Sequence, residues 1–357
     1  MAYIPPRTSL RAGPFAMLLI YGFTAIHYGD SGSNSYSHFA KYMLAAQLLG
    51  TINFGLFRLE SPNLSATTFK QKLIWAINQY LNPRQIETSS QPGKLPRFPI
   101  QRFADLSNPD AFIISRVLMT WLCYLFWRIV GIFQRFYQNS LRAGDYGPDK
   151  EQFFRRIHQV TTREICIRLA LPVLFILPEM LVMSAHHNFI SAVAVFIGGA
   201  QAIPGWNFAV YGSLGEAYTI RRYRGIVWHQ FLRRDLIGWA SIMSSNIFRI
   251  PQTSKYNKFA MLYLVFFISA CMHAMIYLPA KIRISGCGIS HIFQWYSLSP
   301  CAIIAEEIAQ KLGKRVLRHH GWRTDSKWCY WFGYLWVWGF FSWSLPKSVF
   351  PKDDCVF

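Results

Sequence analysis

The chain carries a series of apolar runs long enough to cross a lipid bilayer, and that feature excludes most of the ways a soluble protein folds. A helix that spans the hydrocarbon core needs about 20 predominantly apolar residues. Such runs lie near 14–28 (the shortest), 36–57, 111–134, 166–185, 189–211, 259–280, 290–310 and 328–346. Lipid offers no partner to an open backbone, so each run must close its own hydrogen bonds as a helix. The expected architecture is all-α, a polytopic transmembrane bundle of about eight spans (about 7–10), forming one integral membrane domain over residues 1–357. The shorter apolar stretch 236–248 is expected to be re-entrant or to lie in the membrane plane.

Charge sets the expected orientation. Basic residues outnumber acidic ones strongly enough to give a net charge of +20, which would point to nucleic acid if they formed one continuous surface. Instead they fall in blocks: seven in 58–110, six in 135–165, eight in 213–258 and six in 311–327, with none in 29–35 or 186–188. This is the distribution of cytoplasmic loops in a membrane protein, and it argues against a nucleic-acid partner. With all four blocks on the cytoplasmic side, 111–134 cannot cross an odd number of times. Because Arg116 and Arg128 interrupt it, it is expected to lie in the interface or to enter and return; a true crossing that breaks the charge rule is the alternative.

The segment 58–110 holds Asn82-Pro83-Arg84, a Pro-rich stretch from Gln91 to Pro99 and an amphipathic piece from Phe69 to Leu81, and reads as a long cytoplasmic loop. The sequon at Asn63 would then stay unglycosylated. The segment 213–258 reads as a basic cytoplasmic or re-entrant stretch. The seven cysteines include no CxxC pair, so neither a disulfide framework nor a zinc site is indicated. No small-residue cleavage site follows the run at 14–28, which reads as a retained span rather than a signal peptide.

Two features could carry chemistry. His273 stands within Phe259 to Leu278, roughly 21 Å along a helix that crosses a core about 30 Å thick. A titratable group at that depth is a functional candidate, although a neutral imidazole bonded to a neighbouring carbonyl would account for it equally well. Kept unprotonated by burial, it could accept a proton from an alcohol. The second feature is the stretch Ser213 to Gln230, dense in arginine and aromatic residues directly after an apolar run. Phosphate-rich ligands dock on such surfaces, but so do anionic lipids, and the arginines alone do not separate the two.

Taken together, the two features resemble a known family. Ser213 to Gln230 is similar to the SL-x-E-x(n)-W-[HN] signature of the wax-synthase-like branch of the membrane-bound O-acyltransferases, and Phe267 to His273 resembles its F-x-S-G-x-x-H signature. Asn82-Pro83-Arg84 resembles an upstream N/S-P-R-G element, so the resemblance runs from about residue 14 to 346. The family departs from this chain in two places: Tyr223-Arg224-Gly225 stands where F-W-G is usual, and Ala270 replaces a glycine.

The resemblance implies an internal tunnel and transfer of an acyl group from acyl-CoA to a hydroxyl of a lipophilic acceptor, with no metal. His273 would be the general base, and His229 would position the thioester or stabilise charge on its carbonyl oxygen. Arg221, Arg222 and Arg224 would meet the CoA phosphates, with Trp228 and Ser269 also on the CoA side. By resemblance to fungal secondary-metabolite members, the acyl group would be acetyl and the acceptor a terpenoid or meroterpenoid. The location would be the endoplasmic reticulum membrane.

Four rivals remain in view. A long-chain wax ester synthase would use the same residues. A membrane terpene cyclase would use Glu306 or Glu307 as its proton donor, although one of the two is expected at a solvated helix end. A prenyltransferase would need Asp-rich motifs, of which only Asp145 and Asp149 qualify. A transporter would leave both signatures unexplained and lacks a visible internal repeat. His186 and His187, read as a short turn between spans, and His319 and His320, in a basic loop, are expected on the surface; His291 is left undecided.

Overall fold

The computed structural model describes residues 107–142, 144–228, 232–277, 287–320 and 327–349. The expected spans at 14–28 and 36–57, the Asn82-Pro83-Arg84 element, the sequon and His229 lie outside them. Every regular element among the described residues is helical, the longer ones being α1 (Pro109–Ser140), α2 (Thr162–Gly198), α3 (Arg233–Ile242), α4 (Lys255–Tyr277), α5 (Cys287–His319) and α6 (Lys327–Ser344). Three stretches are long and apolar enough to cross a membrane: α1, α2 with the turns that follow it to Trp206, and α4. Their large apolar side chains point outward, with Trp121 66% and Phe196 79% exposed, as expected of helices whose surroundings are hydrocarbon. The described residues form two compact units, those within 92–230 and 301–356 and those within 231–300.

Helix α1 starts where the sequence supplies both a cap and a stop. Asn108 turns its side-chain oxygen back to accept from the Asp110 and Ala111 amides, and Pro109 follows at the first helical position. The helix then runs unbroken through 111–134, so the expectation that this stretch enters and returns is corrected: a return needs a break in the backbone, and none occurs. Arg116 does not force one because it is fully buried. Its guanidinium donates to Asn188 Oδ1 at 2.7 Å, to the Trp206 carbonyl at 2.8 Å and to the Phe208 carbonyl at 3.4 Å.

Helix α2 overturns the expected pair of spans at 166–185 and 189–211. It is one helix through 186–188, and the chain turns only at Gly199, whose φ of 62° and ψ of −157° lie in a region closed to side chains. His186, His187 and Asn188 were expected to form a surface turn, but histidine and asparagine weaken a helix without breaking it. His187 and Asn188 are buried. His186 donates to the Val182 carbonyl, His187 shares the Phe208 carbonyl with Arg116, and Asn188 accepts from Arg116. Two prolines also sit inside α2. Pro178 has no N–H for the carbonyl of Leu174, and Gln134 of α1 fills the vacancy with a 2.7 Å bond. His319 and His320 are exposed, as expected.

Candidate functional site

Helix α4 carries His273 and packs on α3 through Ala240, Leu264 and Ile268. Between them the chain widens into a π-helical turn, Met243–Ile247, a local geometry often found beside functional sites. The same turn helps enclose an apolar cavity of about 330 Å³, lined by Met243, Phe248, Phe267, Ala270, Phe293 and Tyr296 among others. The His273 ring is partly buried and lies 5.0 Å from that of Tyr296, at 32°. Ala270, buried and one helical turn before His273, contributes its methyl group to the wall of the cavity. Ser269 is partly buried on the same helix.

The arginine segment is built in the other unit, and its local folding follows from small capping residues. Ser213 Oγ accepts from the Gly215 amide and Thr219 Oγ1 from the Arg222 amide, which set off a short turn at Leu214–Glu216 and a helical turn at Ile220–Arg222. The chain continues as a π-helical turn, Tyr223–Val227, and ends in extended backbone at Trp228. Gly212 lets the start of the segment touch its end: its amide donates to the Val227 carbonyl at 2.9 Å, and a side chain there would strike the Ile226 carbonyl.

Helices α5 and α6 hold this segment from outside. Glu306 is buried and accepts from the Ile220 amide at 2.9 Å, the Arg221 amide at 3.2 Å and Trp336 Nε1 at 3.1 Å. Tyr218 meets Tyr330 edge-on at 4.8 Å, Tyr334 donates to the Gly215 carbonyl, and Gly333 leaves room for the Tyr218 carbonyl. Burial pushes the Tyr218 phenol above its ordinary pKa, so it stays neutral.

Each arginine has a partner of its own. Arg221 binds Glu307 at 2.7 Å, Arg222 pairs with Glu216 and lies over the Tyr218 ring, and Arg224 lies over the rings of Tyr223 and Phe341. Trp228 stacks on Tyr223. The structure therefore brings Arg221, Arg222, Arg224 and Trp228 together, and places Ser269 and His273 together on α4.

Residues 206–295 match the membrane bound O-acyl transferase family. The acetyltransferase ataH of Aspergillus terreus is 33% identical over 169 residues, covering 47% of this chain and 53% of that protein. The acetyltransferase TRI7 of Fusarium sporotrichioides is 25% identical, covering 98% of this chain and 83% of that protein. The acetyltransferase atnC of an Arthrinium species is 24% identical, with 80% and 64% covered. Over these residues the chain is similar to the membrane-bound O-acyltransferase family.

Both the arginine segment and His273 fall inside the matched residues. The chain spans about half of the length of the first of these relatives and 83% of the second. No solved structure matches it. Among the described residues no group of three His, Cys, Asp or Glu side chains could hold a metal ion.

The geometry also weighs the rivals to a membrane-bound O-acyltransferase. A cyclase acid must be free to deliver its proton to a substrate, but Glu306 is engaged by three N–H donors of the protein, and Glu307 is paired with Arg221 and Lys311. Glu307, partly exposed, is the solvated member of the pair; Glu306 is not. Asp145, half of the candidate prenyltransferase motif, is taken up by Arg163.

Sequence reasoning weighed Glu306 only as a cyclase acid or a solvated helix end, and missed its bonds to the Ile220 and Arg221 amides. The available signal was two adjacent carboxylates inside an otherwise apolar run, with only one needed to balance Lys311.

Proposed function

We propose that this chain transfers an acetyl group from acetyl-CoA to a hydroxyl of a lipophilic acceptor of terpenoid or meroterpenoid type, as a multi-pass protein of the endoplasmic reticulum membrane. The observation that carries the reading is the contact of the partly buried His273 ring with Tyr296, which, with Ala270 one turn earlier on α4, lines an aromatic cavity of about 330 Å³. A cavity of that size and lining takes a compact apolar skeleton, not a strongly hydrated one.

In the proposed reaction, His273 accepts the proton of the acceptor hydroxyl as its oxygen attacks the thioester carbonyl carbon. The resulting tetrahedral intermediate expels CoA as thiolate, and the imidazolium returns the proton to sulfur. His229 stands beside Trp228 in sequence and would steady the carbonyl oxygen. Ser269, one turn before His273, would help hold the thioester. Arg221, Arg222 and Arg224 would take the CoA phosphates, which would exchange with Glu307 and Glu216 at the first two. The names of the relatives support acetyl as the transferred group.

Membranes containing the chain, supplied with either acetyl-CoA or palmitoyl-CoA and an extract of hydroxylated terpenoids, provide the test by product mass. An acetyl ester is expected. The His273→Ala protein should lose about 100- to 10,000-fold of the rate, the range for a general base. A palmitoyl ester, or an unchanged rate without His273, would overturn the reading.

A further inference from the structure

We propose that Glu306 is a positioning residue for acyl-CoA, fixing the backbone from which the arginines reach phosphate; the inference rests on the assignment of those arginines made above. A carboxylate is costly to bury, and the three N–H groups around Glu306 offset part of that cost. What distinguishes this from ordinary packing is where two of the three donors come from. They are the main-chain amides of Ile220 and Arg221, so the carboxylate acts on the course of the chain itself.

The neighbouring residue completes the grip. Glu307 points about 100° away around the same helix and takes the Arg221 side chain at 2.7 Å. Arg221 is thus held at its backbone by one carboxylate and at its guanidinium by the next. The first bond must persist when a ligand arrives, because backbone amides have nowhere to move; the second is partly exposed and open to exchange with phosphate. Trp336 on α6 sets the carboxylate in turn, and Thr219 caps the Arg222 amide from the preceding residue.

Glutamine cannot replace this arrangement. Its single oxygen could keep the Ile220 and Trp336 donors, but its amide nitrogen would face the Arg221 N–H, donor against donor. The full-length protein in detergent, titrated with acetyl-CoA and with S-acetylpantetheine, which lacks every phosphate, provides the test.

Glu306→Gln should raise the Kd of acetyl-CoA roughly tenfold while leaving that of S-acetylpantetheine within about twofold. Trp336→Phe, which removes one donor and keeps the charge, should shift acetyl-CoA in the same direction by less, and it decides the matter if Glu306→Gln does not fold. A merely structural role would weaken both ligands alike, and that result, or an unchanged Kd for acetyl-CoA, overturns the proposal. Arg221→Ala and Arg224→Ala measured in parallel separate the two layers. If they weaken acetyl-CoA and Glu306→Gln does not, only the positioning role falls; if none of them does, the arginine assignment falls with it.

Discussion

Replacing Arg116 with alanine should be among the most destabilising single changes outside the proposed chemistry. Arg116 is fully buried on α1 and makes two short charge-assisted bonds, to Asn188 Oδ1 at 2.7 Å and to the Trp206 carbonyl at 2.8 Å. If each behaves as a charged bond in a protein interior, about 1.5–3 kcal/mol, the two together come to about 3–6 kcal/mol. If they behave as average hydrogen bonds between membrane helices, about 0.6 kcal/mol each, the sum is only about 1 kcal/mol.

The structure favours the larger figure, because alanine would leave three oxygens of this node, Asn188 Oδ1 and the Trp206 and Phe208 carbonyls, without the guanidinium in a dry interior. We expect a loss of about 4 kcal/mol for Arg116→Ala. Arg116→Met with Asn188→Leu should recover part of it, since the buried amide leaves together with the charge. Unfolding of the purified protein in mixed micelles by a denaturing detergent, followed by circular dichroism, measures the difference. A loss below about 1 kcal/mol would show that the node behaves as an ordinary membrane hydrogen bond and would refute the reasoning.

Three further outcomes follow from the same geometry. Gln134→Leu should cost about 1–3 kcal/mol in the same assay, because the Leu174 carbonyl left open by Pro178 loses its donor. Gly333→Ala should push the Tyr218 carbonyl away from α6, and a raised Kd for acetyl-CoA by titration checks it. The hydrogen bond from Arg163 holds the Asp145 carboxyl at about 2. A depressed carboxyl stabilises the fold at pH values above its unfolded pKa of about 3.9 and loses that contribution as pH falls toward 2. Asp145→Asn should therefore lower stability at pH 6 and flatten its dependence between pH 4 and 2, as read by thermal unfolding across pH.

Some of this architecture was legible from spacing alone. The apolar runs at 111–134 and 259–280 become α1 and α4 because length against bilayer thickness is a property of the sequence itself. The cap of α1 was also readable, as asparagine before proline. What misled was polarity at 186–188. Three polar residues between two apolar runs look like a turn, yet His187 and Asn188 serve the Phe208 carbonyl and Arg116, and His186 bonds back to Val182 of its own helix. A buried arginine 72 residues away in sequence explains Asn188, and no local window contains both. The helix ends instead at Gly198-Gly199, where the backbone requires a residue without a side chain.

The same principle accounts for the candidate site. Its reacting groups were visible as motifs because chemistry needs particular residue types, a histidine in a span and arginines beside aromatics. Its supports, Glu306, Trp336, Gly333 and Tyr334, come from α5 and α6, about 85 to 120 residues further along the chain. Each reads locally as an ordinary helix residue: Glu306 and Tyr334 satisfy backbone groups of a distant turn, Trp336 sets Glu306, and Gly333 makes room for the Tyr218 carbonyl. In a chain whose surroundings offer no water to stray amides and carbonyls, those distant backbone groups decide where polar side chains must stand. A polar residue in an apolar run is therefore best read by asking which open backbone group it could close, a question that pairs Gln134 with Pro178 and Glu306 with the turn at Ile220.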